Sequence, residues 1–516
     1  MSIKTEDFVH KIKASYSPKS ASIYFGAGIL EGQIVTDAKV NLALKMMNRH
    51  GLIAGATGTG KTRTLQLMSE QLSEAGVPVF MLDVKGDLSG LAQPGGTNDA
   101  LVERGNAVGI PFQPASFPLE FFSLSGKLGV DMRITVEDFG PILLSRILDL
   151  NETQTGVLAA VFKYAEDQQW ALVDLNDLKK LLSYLADGPG AEQIKADYGK
   201  ISTATSGTIL RKIVSVEQQG VGHIFGEKEF EIDDLFSKVD GKGVISLLNI
   251  SDIQDQPLLF STFLLSLLAQ LFKHLPEVGD LDQPKLVFFF DEAHLLFDGA
   301  SKAFLSQVEQ IVRLIRSKGV GVFFCSQAAT DIPESVLGQL GNRIQHALRA
   351  FTPNDADNLR KTVKTYPHTE FYEIDKILTS LGTGQALITV LNDKGIPTEV
   401  VATHLVPARA VMGPCEASLY NDIIQKSVYF EKYKQRIERE SAAEIVEAKM
   451  MEFENKVAEE QSKKREVKAQ TSSRASRRQT PLEAAQNQAS RTLAREGVKL
   501  LGKVANGIIN MLFKKK

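Results

Sequence analysis

The chain has 516 residues, 43% hydrophobic and 23% charged, which predicts about two to four globular domains and excludes a disordered chain. Its 59 basic and 62 acidic side chains nearly cancel, but residues 462–516 hold 14 basic and only 3 acidic ones. Residues 1–461 therefore carry a net charge of −14, which excludes a body basic enough everywhere to coat nucleic acid.

Cysteine usage and hydropathy exclude two further classes of protein. Cys325 and Cys415 are too few for a disulfide framework or a multi-cysteine zinc site, and the eight histidines are scattered. The N-terminus shows no apolar signal segment. The most apolar stretch, residues 258–272, is shorter than the roughly 20 residues that span a bilayer, which favours a buried core helix. We expect a soluble, cytoplasmic protein.

The first predicted elements form one supersecondary unit. Residues 1–48 are expected to be a short N-terminal segment of undecided structure. An apolar strand at residues 50–55 is followed by a helix over 62–75 and a second buried strand over 77–83. Strand, glycine loop, helix and strand in this order predict a parallel sheet with a right-handed crossover.

The middle of the chain predicts a helical insertion within this sheet. We assign residues 119–235 to the insertion, and residues 49–118 and 236–414 to the α/β core. Helical segments are predicted within the insertion at residues 141–149, 154–168, 175–185 and 209–218. Core strands are predicted at residues 243–250, 285–291 and 319–327, and a closing hairpin at 385–391 and 399–405.

The C-terminal part differs in composition from the core. Residues 415–468 are highly charged with helical spacing, which predicts a solvated or self-associating helical segment. Residues 469–516 form a basic linker and an amphipathic tail. Residues 490–516 suit an anionic membrane surface or docking on the protein itself, and residues 463–478 suit nonspecific phosphate contacts. A disordered, solubilising tail is the alternative, because few aromatic residues accompany the charges.

The strongest motif follows the first core strand. The sequence Gly-Ala-Thr-Gly-Thr-Gly-Lys-Thr matches the phosphate-binding loop pattern, with a strand before it and a helix after it. The loop predicts ATP as ligand, with Lys61 on the β- and γ-phosphates and the Thr62 hydroxyl on Mg²⁺. The predicted nucleotide contacts are Gly55, Ala56, Thr57, Gly58, Thr59, Gly60, Lys61, Thr62 and Thr64.

A second motif supplies the acidic residues that hydrolysis needs. Asp291 and Glu292 end the continuous apolar run of residues 285–290. A carboxylate at the end of a buried strand is expected to hold Mg²⁺, so Asp291 is assigned to the metal. Glu292 is assigned as the general base that orients the attacking water. The two motifs together predict ATP hydrolysis rather than binding alone.

Weaker candidates stand at the ends of other predicted strands. Gln327 is placed to sense the γ-phosphate or to orient water, with a plain turn as the alternative. Asp83 and Lys85 end the second strand, where ligand contact and surface capping are almost equally favoured. His294 suits either a relay to the substrate or a packed core histidine.

Arginines matter because ring-forming ATPases complete each site with a guanidinium from a neighbouring subunit. Arg316 and Arg313 lie on the helix that follows Glu292, Arg343 lies in Gly-Asn-Arg-Ile, and Arg49 precedes the phosphate-loop strand. The residues alone leave open which of them acts in this way.

Taken together, these motifs resemble the HerA/FtsK superfamily of P-loop ATPases, and most closely its bacterial YjgR-type HerA-like members. The resemblance rests on the phosphate loop, Asp-Val-Lys-Gly-Asp, Phe-Phe-Asp-Glu-Ala-His, the strand ending at Gln327 and Gly-Asn-Arg-Ile, and covers most of residues 20–414. It implies a RecA-like core, a hexameric ring, and Arg316 as the arginine finger in trans, with Arg49 as a second candidate.

One departure limits what the resemblance implies. HerA itself carries a β-barrel domain before its ATPase core, and 48 residues leave little room for one. The nuclease partnership of HerA and its role in DNA end processing are therefore not transferred.

Three functions remain open at this stage. A ring ATPase that moves DNA is the first; Lys179, Lys180, Lys200, Arg211 and Lys212 of the insertion are its candidate basic contacts. An ATP-driven protein remodeller, for which an acidic body is no obstacle, is the second. A membrane-peripheral assembly ATPase anchored by its basic tail is the third.

Overall fold

The structure is a computed structural model of the whole chain, and it describes residues 3–279, 281–297, 302–435, 437 and 439–474. The chain divides into two compact units. The first contains a large sheet with helices and comprises residues 1–134 and 226–437. The second is helical and comprises residues 135–225 together with the chain from 438 onward.

The strands of the sheet-containing unit are β1 (Ser22–Leu30), β2 (Gln33–Ala43), β3 (Gly51–Ala54), β4 (Val79–Asp83), β5 (Leu119–Ser123), β6 (Val130–Asp131), β7 (Lys238–Val239), β8 (Lys242–Gly243), β9 (Ile245–Asn249), β10 (Leu286–Phe290), β11 (Val320–Ser326), β12 (Asn342–Gln345), β13 (Gln385–Thr389) and β14 (Val401–Leu405). Twelve of them form one sheet in the order β2-β1-β14-β13-β12-β3-β11-β10-β4-β9-β5-β6, and β7 pairs with β8 alone.

The helices of this unit are α1 (Ile3–Tyr16), α2 (Lys61–Glu74), α3 (Asp99–Ala107), and, after the helical unit, α9 (Pro257–His274), α10 (His294–Phe297), α11 (Lys302–Ile315), α12 (Glu334–Leu337), α13 (Pro353–Val363), α14 (Ile374–Ser380), α15 (Ala417–Lys426) and α16 (Val428–Lys434). The helical unit holds α4 (Val136–Ile147), α5 (Glu152–Gln168), α6 (Leu175–Ala186), α7 (Ala191–Asp197), α8 (Thr203–Gln218) and α17 (Ala442–Arg474).

Eight neighbouring strands, from β12 to β6, run parallel, and the remaining four of the sheet pair antiparallel. The predicted α/β class with a mostly parallel, RecA-like sheet is thereby confirmed. The central strands are buried along their whole length on both faces, as continuous apolar runs require. The predicted closing hairpin is also confirmed, because β13 pairs antiparallel with β14.

Residues 1–48 contain two strands of the large sheet and a helix, so the prediction of a short N-terminal entry segment was wrong. β1 and β2 extend the sheet at one edge, where Gly26 of β1 lies opposite Leu405 of β14. α1 buries Phe8, Ile12 and Tyr16 against this edge. β1 and β2 pair with each other as a local hairpin, but the pairing of β1 with β14, which joins this hairpin to the sheet, links segments that are remote in sequence.

The predicted insertion of residues 119–235 is too wide at both ends. β5 pairs in parallel with β9 and belongs to the sheet, and the helical unit begins only at residue 135. It ends at residue 225 and is completed by α17 from the C-terminal part of the chain. The predicted charged segment 415–468 is likewise three helices, of which α15 and α16 belong to the sheet-containing unit.

The helical unit has its own apolar core. α6 buries Leu178, Leu181 and Leu182, and α17 contributes Ala443 and Val446. Residues 469–474, which were assigned to the basic linker, form the end of α17 instead. The rest of the predicted linker and the tail 490–516 lie outside the described residues.

The apolar stretch at residues 258–272 forms α9, in which Leu264, Leu268 and Leu271 are buried. Within the described part of the chain, no helix has both the length and the apolar character needed to cross a membrane. The stretch therefore belongs to the interior of the sheet-containing unit, as its length predicts.

Candidate nucleotide site

The phosphate-binding loop joins β3 to α2 at the carboxyl edge of the parallel strands. The backbone N–H of Gly55 donates to Ser326 O at 3.2 Å, and that of Ala56 donates to Ala347 O at 3.0 Å. Gly58 and Gly60 have φ angles of 77° and 116°, a region that favours glycine. The loop is therefore anchored to the ends of the two strands beside β3, with its tip at Thr57 and Gly58 exposed.

The end of the loop provides a positive site for phosphate. α2 begins at Lys61, and no described side chain caps the free N–H groups of its first turn. The Lys61 ammonium donates to Gly55 O at 2.6 Å and to Ala56 O at 3.3 Å, so it lies folded over the loop. The phosphates of a nucleotide would find three positive features here: uncapped N–H groups, the positive end of the helix dipole and the Lys61 ammonium.

Thr62 lies in the first turn of α2 and is half-buried, whereas Thr64 is buried in the interior. Thr64 Oγ1 lies 2.9 Å from His346 Nε2, and His346 Nδ1 lies 2.9 Å from Gln385 O. The Thr64 hydroxyl thus connects α2 to the ends of β12 and β13, and the contact of Thr64 with nucleotide stays a prediction.

The tautomer of His346 follows from these two contacts. A carbonyl oxygen only accepts, so Nδ1 carries the proton that Gln385 O receives, and Nε2 accepts from the Thr64 hydroxyl. Burial lowers the pKa of His346 to about 4, which keeps the ring neutral at physiological pH. Sequence reasoning missed this residue because its partners come from distant parts of the chain.

Asp291 follows β10 directly and shares the carboxyl edge of the sheet with the loop. Burial raises the pKa of Asp291 to about 6, the charge of Glu292 adds to that rise, and the charge of Lys61 opposes it. The opposing effect of Lys61 shows that the predicted phosphate ligand and the predicted metal ligand lie close together. A carboxylate and the hydroxyl of Thr62 are oxygen donors of the kind that Mg²⁺ prefers.

Glu292 adopts an unusual backbone conformation. Its φ angle is 49°, in the left-handed region where a residue with a Cβ carries a cost of about 1 kcal/mol or more. Its N–H donates to Asp291 Oδ1 at 2.9 Å, and its Oε2 lies 3.4 Å from His294 Nδ1. Backbone strain of this kind is concentrated at functional sites, which supports Glu292 as a candidate.

Asp83 ends β4, which runs parallel to β10 with Met81 opposite Phe289, so Asp83 and Asp291 end adjacent strands. Asp83 is 1% exposed and accepts the N–H groups of Gly86 and Leu88 at 2.8 and 3.2 Å. Burial, with the charge of Asp87, raises the pKa of Asp83 to about 7. The buried Asp83 carboxyl therefore stabilises the turn after β4 through these hydrogen bonds. Lys85, in the same turn, is exposed.

Gln327 is exposed immediately after β11, beside the phosphate loop and Asp291. Asp331 holds the turn in place by accepting the Ser326 hydroxyl at 2.5 Å and the Ala328 N–H at 2.9 Å. The fold thus brings Lys61, Thr62, Asp291, Glu292 and Gln327 to one edge of the sheet.

The candidate arginines lie at the opposite edge. Arg49 precedes β3 and Arg316 lies just before β11, both at the amino ends of strands that lead into the site. At about 3.3 Å per residue, the four residues of β3 alone separate the two edges by roughly 13 Å. Burial lowers the pKa of His50 to about 4, and the positive charges of Arg316 and Arg49 lower it further. Neither Arg49 nor Arg316 stands at the phosphate loop of its own chain.

The other two arginines are no nearer to the loop. Arg343 lies on β12 and donates to Thr365 O at 3.3 Å, and Arg313 is exposed on α11.

The basic side chains of the helical unit are largely engaged in ion pairs. Lys179 lies 2.8 Å from Glu217, and Lys212 lies 3.3 Å from Asp149. Lys180 pairs with Glu447 of α17. Three of the lysines predicted to contact DNA are therefore neutralised within their own unit.

Comparison with known proteins gives a family. Residues 29–513 match the family model described as "Helicase HerA-like C-terminal". The DNA double-strand break repair helicase HerA of Sulfurisphaera tokodaii is 24% identical over 388 residues, 73% of this chain and 70% of that protein. Its counterpart in Sulfolobus acidocaldarius is 22% identical over 396 residues, 72% of this chain and 69% of that protein.

Two solved structures match most of this chain at low sequence identity. The coupling protein TrwBdeltaN70 in its trigonal form is 12% identical, with a TM-score of 0.49 over 76% of this chain and 96% of the other. VirB4 of Thermoanaerobacter pseudethanolicus is 14% identical, with a TM-score of 0.45 over 76% of this chain and 98% of the other.

Proposed function

Because this chain belongs to the HerA-like helicase family of P-loop ATPases, we propose that it hydrolyses ATP as a ring of identical subunits and uses the energy to move DNA. The observation that carries the proposal is the convergence of Lys61, Asp291 and the strained Glu292 at one edge of the sheet. Phosphoryl transfer needs little more from a protein than positioning and charge stabilisation, and these residue types supply both.

Each residue of the edge has a distinct part in the proposed reaction. Lys61 and the uncapped N–H groups of α2 hold the phosphates. Thr62 and Asp291 would hold Mg²⁺, which supplies positive charge to the phosphate oxygens when it is bound. Glu292 orients a water molecule for in-line attack and accepts its proton, and His294 at 3.4 Å limits where the carboxylate points. Gln327 is placed to contact the γ-phosphate or this water.

The location of the arginines supports a ring. Arg316 and Arg49 stand at the edge of the sheet opposite to the loop, so neither of these two guanidiniums reaches phosphates bound to its own chain. A neighbouring subunit that presents its amino edge to the loop supplies the missing charge. We assign Arg316 to this role, Arg49 as the second candidate, and a hexamer as the assembly.

DNA is the substrate we favour, because the two HerA relatives are DNA double-strand break repair helicases. The paired lysines of the helical unit favour the alternative, an ATP-driven protein remodeller. A membrane-peripheral role rests on residues 490–516, which lie outside the described residues, and a nuclease partner is not part of the proposal.

The test is the rate of ATP hydrolysis by the full-length protein with double-stranded DNA, single-stranded DNA, RNA or an unfolded protein. DNA should raise the rate several-fold at low salt, and the stimulation should fall steeply as salt rises. Lys61→Ala protein serves as the control for contaminating ATPases. A rate indifferent to DNA but raised by the unfolded protein would replace the first proposal with the second.

The membrane alternative needs a separate experiment. Flotation with vesicles containing phosphatidylserine is compared for the full chain and a chain that ends at residue 489. Binding that depends on the tail supports the membrane role, and equal flotation of the two proteins rejects it.

A further inference from the structure

Phe351 is exposed to solvent, in contrast to the other aromatic side chains that the structure describes. Its side chain is 87% exposed, whereas every other described phenylalanine, tyrosine and tryptophan is at least partly buried. Phe351 lies between the end of β12 and the start of α13. Because β12 runs parallel to β3, the strand before the phosphate loop, the chain reaches Phe351 from the carboxyl edge of the sheet.

Hydrogen bonds fix the backbone around Phe351. The N–H groups of Phe351 and Thr352 donate to Asp355 Oδ2 at 3.1 and 2.9 Å. The Asp355 N–H in turn donates to Thr352 Oγ1 at 3.2 Å. The ring is thus presented to solvent from a defined position, which lowers the conformational entropy that a ligand loses the protein on binding.

The segment that leads to Phe351 is bonded directly to the phosphate loop. Ala347 O accepts the Ala56 N–H at 3.0 Å, four residues before Phe351. At the other end of the segment, just before β13, the Gly384 N–H donates to Thr59 O at 3.3 Å. The chain between β12 and β13 is therefore attached to the loop at both of its ends, so a rearrangement of the loop would act on the segment that carries Phe351.

The surroundings of Phe351 distinguish between possible partners. No other large apolar side chain of the described segment between β12 and β13 is exposed, so the segment offers a single ring rather than the apolar patch that a protein interface has at its core. Arg349 is also exposed, and its guanidinium donates to Thr379 O at 3.2 Å. Within the described residues, Arg349 pairs with no carboxylate. A lone ring beside an unneutralised cation matches a nucleic acid, whose bases stack on aromatic rings and whose phosphates attract arginine.

We propose that Phe351 and Arg349 form a contact for a DNA strand with unpaired bases, in which a base stacks on the ring and a backbone phosphate lies on the guanidinium. This contact rests on the proposed function as a DNA motor. Stacking needs an accessible base face, which a paired base inside a duplex does not offer, so the contact favours single strands. Because Phe351 lies four residues beyond the bond between Ala347 and the loop, the contact also gives DNA a short path to the nucleotide site.

The first measurement is the affinity of the full-length protein for fluorescein-labelled oligo(dT) and for a duplex of the same length, by fluorescence anisotropy. Phe351→Ala should bind oligo(dT) about tenfold more weakly and the duplex less than about threefold more weakly, whereas Phe351→Trp should retain the native affinity. Arg349→Ala should weaken both ligands and reduce the salt dependence of binding, because it removes a phosphate contact. Val428→Ala, which trims a 76% exposed apolar side chain on α16, is the matched control and should change neither affinity.

A second measurement tests whether a base lies on the ring itself. The chain has one tryptophan, Trp170, and it is only 9% exposed. The indole introduced by Phe351→Trp is therefore the solvent-exposed one, and a base that stacks on it should quench its emission. Oligo(dT) should quench Phe351→Trp more than it quenches the native protein, and the duplex should quench it much less.

The outcomes separate this proposal from the proposed function. Phe351→Ala should hydrolyse ATP at the native basal rate and lose its stimulation by oligo(dT). Native affinity of Phe351→Ala for oligo(dT), or no additional quenching in Phe351→Trp, rejects the contact, while a native ATPase that DNA stimulates still supports the motor. A lower basal rate and a smaller sedimentation coefficient in Phe351→Ala, with unchanged oligo(dT) affinity, assign Phe351 to a contact between subunits and also reject the proposal. If the native protein hydrolyses no ATP but binds oligo(dT) through Phe351, the contact stands and the proposed function fails.

Discussion

Charged side chains of the helical unit and of the carboxyl edge of the sheet differ in whether they have partners of opposite charge. In the helical unit, Lys179 pairs with Glu217 at 2.8 Å, and Lys180 pairs with Glu447 of α17. These groups are matched by partners from their own unit. Such matching holds a fold together and leaves little charge available to a ligand.

At the carboxyl edge, charges stand without matched ionic partners. Burial raises the pKa of Asp83 and Asp291, Glu292 has a left-handed backbone, and Arg63 and Arg104 bond neutral groups. Each of these features costs stability in the ligand-free chain. The difference indicates that the helical unit is built for stability and that the edge is built for a ligand that compensates its charges.

The largest effect is expected from Arg316→Ala. If a neighbouring subunit supplies this guanidinium, turnover should fall about a thousandfold while ATP binding to the isolated chain is retained. Mixing Arg316→Ala protein with Lys61→Ala protein should restore part of the activity, because some interfaces then combine an intact loop with an intact arginine. Activity is measured by phosphate release as a function of the mixing ratio.

Two controls define that experiment. Arg49→Ala in the same assay decides between the two arginines of the amino edge, and Arg360→Ala reports the effect of losing an exposed arginine elsewhere. An Arg316→Ala protein with full activity, or a mixture no more active than its parts, contradicts the assignment of Arg316.

The next largest effect is expected from Glu292→Gln. The amide keeps the size of the side chain but does not accept a proton, so turnover should fall about a hundredfold or more with little change in ATP affinity. Single-turnover phosphate release and nucleotide binding are measured side by side. Glu334→Gln, at an exposed site on α12, is the control, and turnover that survives in Glu292→Gln shows that another group is the base.

Local sequence patterns predict the reactive residues at the carboxyl edge of the sheet, but they do not predict which residues pack around them. The glycine loop before Lys61 is one short stretch of sequence, and the apolar run before Asp291 is another. Each stretch alone therefore predicts its element, the strand–loop–helix unit or the buried strand. His346 and Arg104 were missed because their positions depend on strand pairing across hundreds of residues. Arg63 follows the loop motif directly, yet only the distant α3 and the segment after β14 turn its surroundings into a pocket.

The same limit explains the errors in the fold. The sheet edge formed by β1 and β2 and the docking of α17 in the helical unit both involve partners remote in sequence. A charged helix such as α17 has no continuous apolar face to reveal its docking site, whose buried apolar residues include Ala442, Ala443 and Val446 at the start of the helix. The roles of the site residues stay predictions until the variants are measured.

A smaller effect concerns the pH dependence of stability at Asp83. Its pKa is about 7 in the folded protein against an ordinary value of 3.8, so between about pH 4 and 7 the folded chain binds more protons than the unfolded chain. Its contribution to stability therefore falls as pH rises through this window. The measurement is the free energy of opening of the β4 amides, obtained by hydrogen exchange without nucleotide and Mg²⁺. It should be higher in the native protein than in Asp83→Asn, and this difference should be about 2 kcal/mol larger at pH 5 than at pH 8.

The difference between the two proteins isolates Asp83, because other titrating groups affect both alike. A constant difference across this range would show that Asp83 is ionised at both pH values and that the edge does not hold an uncompensated carboxylate there. Asp357→Asn on the surface of α13 serves as the control with no expected pH dependence.

The smallest effect is expected where charges are matched, in the Lys179–Glu217 pair. Both side chains are about one quarter exposed, so a double-mutant cycle with Lys179→Ala and Glu217→Ala should give a coupling free energy of about 0.5 to 1 kcal/mol in thermal unfolding. Neither change should alter the DNA-stimulated ATPase rate, because each charge is already satisfied within the unit. If Lys179→Ala lowers that rate and Glu217→Ala raises it, Glu217 restrains a lysine that contacts DNA. The helical unit would then belong to the DNA-contacting surface, and its matched charges would be a switch rather than a scaffold.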